Sequence, residues 1–83
     1  MSQSRPLYVI AADIRKAWRD KHGKPNVNFA AKPYLDAMAD LDSIKDSYGY
    51  DSAESIVCYF LSNASSFRGE DAKRIKAELK AML

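Results

Sequence analysis

The stretch Asp51-Ser-Ala-Glu-Ser-Ile-Val-Cys-Tyr-Phe-Leu-Ser-Asn-Ala-Ser-Ser66 decides the fold. Six apolar residues run unbroken from Ile56 to Leu61, a length that suits a buried strand or a buried helix. Two features select the helix. Asp51 is a suitable N-cap, and Glu54 follows three residues later, where a capping box places its acid. Ala53, Ile56, Val57, Phe60 and Ala64 are then spaced three and four apart and share one helical face. Cys58 and Leu61 widen that face, so the reading is a central helix over 52–65 with other helices wrapped around it.

Outward from this helix, the pattern repeats three times. Pro6 suits the first turn of a helix, and Leu7, Ile10, Ala11, Ile14, Ala17 and Trp18 recur at helical spacing to about residue 22. Gly23 and Pro25 then form a stop signal. Pro33 opens a second helix over 33–47 with Tyr34, Leu35, Met38, Leu41 and Ile44 inside, and Gly49 is available to end it. After the break at Phe67-Arg68-Gly69, a last helix over 70–82 carries Ala72, Ile75, Leu79 and Met82 on a narrow stripe, with Glu70 and Asp71 at its positive end. In the connection from Lys24 to Lys32, Asn28 is placed to cap a turn, and Phe29 is expected to plug the core. The predicted fold is an all-α, single-domain bundle of four helices over residues 1–83. Its expected core is Ile10, Ile14, Trp18, Leu35, Met38, Leu41, Ile56, Val57, Phe60, Leu61, Ile75 and Leu79.

Composition bounds the function. With 83 residues, 47% hydrophobic and 29% charged, the chain is an ordinary small globular domain. No apolar run approaches the ~20 residues that span a bilayer, and Met-Ser-Gln-Ser-Arg-Pro at the start lacks a signal peptide's apolar segment. A lone cysteine, Cys58, inside the most apolar run points to core packing in a reducing compartment. Its only possible metal or base partner of note, His22, belongs to another helix, so neither a zinc site nor a cysteine nucleophile is expected. The acids between Asp36 and Asp46 read as surface charge, since acid–base work needs burial to shift a pKa. The three glycines are scattered and form no phosphate loop. The expectation is a protein that is not an enzyme and uses no cofactor or metal.

Net charge is only +2, but it is polarised. Residues 1–32 hold seven Lys/Arg against two Asp, residues 33–59 hold six acids against Lys45, and the tail holds five bases and three acids. One reading packs the two blocks against each other. A sharper one makes a basic patch for an acidic partner. For nucleic acid, the candidates are Arg15, Lys16 and Arg19 on the first helix and Lys73 and Lys76 on the last, in an outline compatible with a helix-turn-helix. For a protein partner, the candidates are Tyr34, Tyr48 and Tyr50 with Asp46 around one loop, because Tyr is favoured at interface hot spots. The protein-binding reading is preferred, since the acidic third would repel phosphates if it shared a face with the bases.

Ser55-Ile-Val-Cys-Tyr-Phe-Leu-Ser-Asn-Ala-Ser-Ser-Phe-Arg-Gly-Glu-Asp-Ala-Lys-Arg-Ile-Lys-Ala-Glu-Leu79, together with Pro33-Tyr34-Leu35-Asp36-Ala37-Met38, resembles a group of short accessory proteins of tailed bacteriophages and prophages. The resemblance covers residues 33–83 and part of the first helix. It implies a setting, the cytoplasm of a bacterial host, and no site residues. The expected role is an inhibitor or modulator of a host protein, including a defence complex. A nucleic-acid-binding accessory protein is the alternative, and a structural component of the virion is a third class.

Overall fold

Ser52, one residue after the expected Asp51, caps the helix quoted above: its Oγ accepts the Ser55 N–H at 3.1 Å. The computed structural model describes residues 5–20, 22–24, 26–49 and 51–83, with backbone alone at Tyr48. In chain order its elements are α1 (Leu7–Ala17), α2 (Lys32–Met38), β1 (Ser47–Tyr48), β2 (Asp51–Ser52), α3 (Ala53–Ser62) and α4 (Glu70–Met82). The architecture is an all-α bundle of four helices. Among the described residues a departure in type is the antiparallel pair β1–β2, with Ser47 opposite Ser52 and Tyr48 opposite Asp51. Gly49, expected as a helix cap, instead supplies the positive φ (63°) in that turn, a conformation open to glycine at little cost.

The helices alternate in direction, and named contacts fix this. The first N–H groups of α1, on Leu7 and Tyr8, donate to Asp42 O and Leu41 O just beyond α2. Arg15 further along α1 pairs with Asp36 of α2. Tyr34 of α2 lies against Tyr59 of α3. Arg5 before α1 grips Glu78 late in α4, while Trp18 after α1 stacks on Phe67 just before α4. Hence the starts of α1 and α3 and the ends of α2 and α4 meet at one end of the molecule. The other four helix termini meet at the opposite end.

Eleven of the twelve expected core residues are buried, and Leu61 is half-buried against that core. Two readings are corrected. Cys58 is exposed, not core packing, because the face made by Ala53, Ile56, Val57 and Phe60 turns inward and leaves Cys58 and Tyr59 on the outside. Phe29 is 87% exposed. Asn28 does cap a turn, accepting the Ala30 N–H at 2.8 Å, but the turn aims Ala31 into the core instead, with Val27 packed on its edge.

Both early helices are shorter than their apolar spacing suggests. At Trp18 the backbone turns extended (φ −84°, ψ 94°) and α1 ends, which lets the indole stack on Phe67 (5.0 Å, 23°) and meet Phe60 edge-on (6.2 Å, 83°). Asp20 then folds the chain back, accepting the N–H groups of His22 and Lys24. The second helix ends at Met38 because Leu41 and Asp42 turn their carbonyls to α1, while the Asp46 carboxylate accepts the N–H groups of Asp42 and Ser43, both at 3.0 Å.

Arg5 makes a two-pronged bond to Glu78 (2.9 and 2.7 Å) and reaches Asp13 (3.1 Å), which Arg74 also contacts (3.3 Å). The Arg5 hydrogen bonds hold the Glu78 carboxyl below its ordinary pKa. For Asp13, burial pushes the pKa up, but the bonds from Arg5 and Arg74 outweigh it and the net shift is downward. A depressed carboxylate pKa stabilises the fold above its unfolded value, about 4, and that stability is lost as pH falls through the folded value. Thermal melts from pH 7 to pH 2 should therefore show a loss below about pH 4. Glu78→Gln should flatten that loss and cost about 1 kcal/mol at neutral pH, because solvent screens side chains exposed by a quarter to a third. An acid profile unchanged by the substitution would refute this role.

Candidate functional site

Because α3 buries Ala53, Ile56, Val57 and Phe60, its outer face carries Glu54, Cys58, Tyr59 and Ser62. The end of this helix is closed by its own side chains. Ser62 Oγ donates to Cys58 O at 3.0 Å, and Asn63 Nδ2 donates to Tyr59 O at 2.8 Å. Tyr59 is thus held on a finished helix end with half its surface in water. Its ring lies 5.4 Å from that of Tyr34, inclined by 34°, within the range of attractive aromatic pairing. Tyr34 is half-buried and packs against the core from α2. Phe29, in the turn leading into α2, is the most exposed large apolar side chain among the described residues.

The structure rearranges the expected site. Tyr34 belongs to an aromatic pair with Tyr59, which lies seven residues beyond Ser52, about 10 Å of helical rise, and so away from the β1–β2 turn. Asp46 is a brace inside the 42–46 loop: the N–H groups of Ser43 and Asp42 lower its pKa. The Tyr48 side chain and Tyr50 lie outside the described residues. Tyr59 is the residue the sequence reading passed over. The signal was there, because Ser55, Ser62 and Asn63 stand four before, three after and four after it, marking its face as polar.

The basic candidates divide in the same way. Arg15 is paired with Asp36. Arg19 donates to Lys16 O and Gly23 O, both at 2.8 Å, and steadies the turn after α1. Lys76 donates to Phe67 O at 2.6 Å and sits 5.7 Å from that ring. Lys16 and Lys73 are exposed.

Two shallow clefts of about 300 Å³ each open at opposite ends. Arg5, Pro6, Asp42, Ser43, Ile44 and Met82 line the first. Phe67, Arg68, Gly69, Ala72, Lys73 and Lys76 line the second. Among the described residues no group of three His, Cys, Asp or Glu stands together as metal ligands would, and no helix is long and apolar enough to cross a membrane. Compared with protein-family models, curated proteins and solved structures, the chain matches none.

Proposed function

We propose that this chain is a small non-enzymatic interaction protein of the tailed-phage accessory type, which works in the cytoplasm of a bacterial host by binding a host protein as an inhibitor or modulator. The observation that carries the reading is aromatic surface left in water: Phe29, 87% exposed, and Tyr59, half exposed and seated on Tyr34. Leaving a Phe ring in water forgoes about 2 kcal/mol of burial, and a rigid Tyr pair offers contact area at low entropic cost. Such side chains are what an interface anchors on.

The test is capture from host lysate on the immobilised protein, with and without nuclease. A host protein should be retained after nuclease treatment. The Phe29→Ala, Tyr59→Ala double variant should fold as the parent does and bind that protein at least ~30-fold more weakly, the equivalent of ~2 kcal/mol. Capture that nuclease abolishes, or that the double variant leaves intact, would refute the reading.

A further inference from the structure

Alternation of helix direction separates the two charge blocks of the sequence. Of the bases in the first third, Arg15 forms an ion pair with the acidic middle third, to Asp36. The remaining acids of that third, Asp40, Asp42, Asp46, Asp51 and Glu54, fall where α2 ends and α3 begins. The stacked Trp18 and Phe67 rings hold the end of α1 against the start of α4 at the other end. This brings Lys16, Arg19 and Lys24 to the same end as Arg68, Lys73 and Lys76. The acids there are Asp20, Glu70 and Asp71. Asp20 accepts backbone N–H groups, and Asp71 lies 3.8 Å from Arg74.

The second cleft lies within this basic end. Its floor is Phe67, Gly69 and Ala72, its rim is Arg68, Lys73 and Lys76, and no carboxylate lines it. Hydrogen bonds from Arg19 and Lys76 to carbonyl oxygens orient these cations but do not cancel their charge. Burial, then the nearness of Lys80 and Arg68, pushes the Lys76 ammonium down.

We propose that this end of the bundle, from Lys16 across the cleft to Lys73, binds the phosphate backbone of double-stranded nucleic acid without sequence preference. A line of separated cations matches a line of phosphates better than one compact carboxylate. The exposed side of α4 offers only Lys, Arg, Glu, Asp and Ala and no ring to stack on a base, so its reach toward nucleic acid is through Lys and Arg on phosphates, and duplexes of unrelated sequence test whether the same cations also read guanine edges. The acidic block, the objection raised by the sequence, stands at the far end and does not oppose such contact. This inference is independent of the aromatic surface.

The measurement is fluorescence anisotropy of two labelled 20-bp DNA duplexes of unrelated sequence, titrated with the full chain. Both should bind alike. With ~4 phosphates neutralised, log K should fall with log salt at a slope of about −3.6, roughly 150-fold between 50 and 200 mM. Lys16→Glu with Lys73→Glu should weaken binding at least tenfold and lower the slope by about 1.8, with an unchanged melting curve. Lys45→Glu, in the acidic block, and Tyr59→Ala should leave binding unchanged. The inference is overturned by absence of binding at 50 mM salt, by equal losses at Lys45 and at Lys16/Lys73, or by polyglutamate competing as well as duplex at equal charge. The last result would assign the same end to an acidic protein.

Discussion

Val57→Asp is expected to leave no cooperatively folded protein at pH 7 and 25 °C. Val57 is fully buried on the inner face of α3, within one apolar cluster that includes Leu35 and Met38 of α2 and Ile10 and Ile14 of α1. No buried polar or charged residue is present among the described residues to receive a carboxylate. The substituted Asp must either stay ionised in an apolar site or take up a proton and remain unpaired. Both cost several kcal/mol, and a domain this small has a total stability nearer ~5 than ~15 kcal/mol. Far-UV circular dichroism and a thermal melt decide the matter. Partial recovery at low pH should accompany the loss, because a buried carboxyl has a raised pKa and its penalty shrinks as pH falls below it. Val57→Ala, at a cost of about 2 kcal/mol, should retain the fold. A Val57→Asp protein that melts with the parent would remove α3 from the core.

The second large effect is at Trp18, the chain's single tryptophan. Its ring is 2% exposed and joins Phe60 to Phe67, so it connects the end of α1 to α3 and to the approach to α4. Truncation to Ala removes both aromatic pairs and opens a cavity, at about 3–5 kcal/mol. For a domain of this size that lowers Tm by at least ~12 °C. Trp18→Phe should cost less than its lost volume suggests. The buried indole Nε1 has no hydrogen-bond partner, and an unpaired buried donor is itself unfavourable by about 1–3 kcal/mol. Urea midpoints followed by circular dichroism rank the three proteins. Both substitutions remove the donor, so the decisive comparison is Trp18→Phe with the parent: a loss of about 3 kcal/mol or more, the Trp18→Ala range, would show that removing the orphaned donor offsets nothing.

Burial is what the sequence made legible. Helical spacing placed Ile10, Ile14, Leu35, Met38, Ile56, Val57, Phe60, Ile75 and Leu79 inside, because three-and-four spacing is a local property of the chain and one buried face per helix is all a small bundle needs. The helix from Glu70 to Met82 was readable to the residue, since a glycine before it and acids in its first turn mark the start. Of the candidate site, Tyr34 was identified, but its partner Tyr59 was hidden inside an apolar run whose polar neighbours lie a turn away on either side.

Tertiary structure decided where helices stop and which charges meet. Nothing local ends α1 at Ala17. Trp18 leaves the helix because Phe60 and Phe67, distant in sequence, form its pocket. α2 ends at Met38 because the open N–H groups of α1 take the carbonyls of Leu41 and Asp42, with the Asp46 carboxylate holding the following turn. Phe67, read as part of a break, became core, while the turn capped by Asn28 puts Ala31 inside and leaves Phe29 in water. The charge blocks were plain in the sequence, yet their separation to opposite ends follows from the direction in which each helix runs. Composition cannot encode that. It arises from contacts between residues far apart in the chain that pair particular helix ends: Leu7 and Tyr8 with Asp42 and Leu41, Arg5 with Glu78, and Trp18 with Phe67.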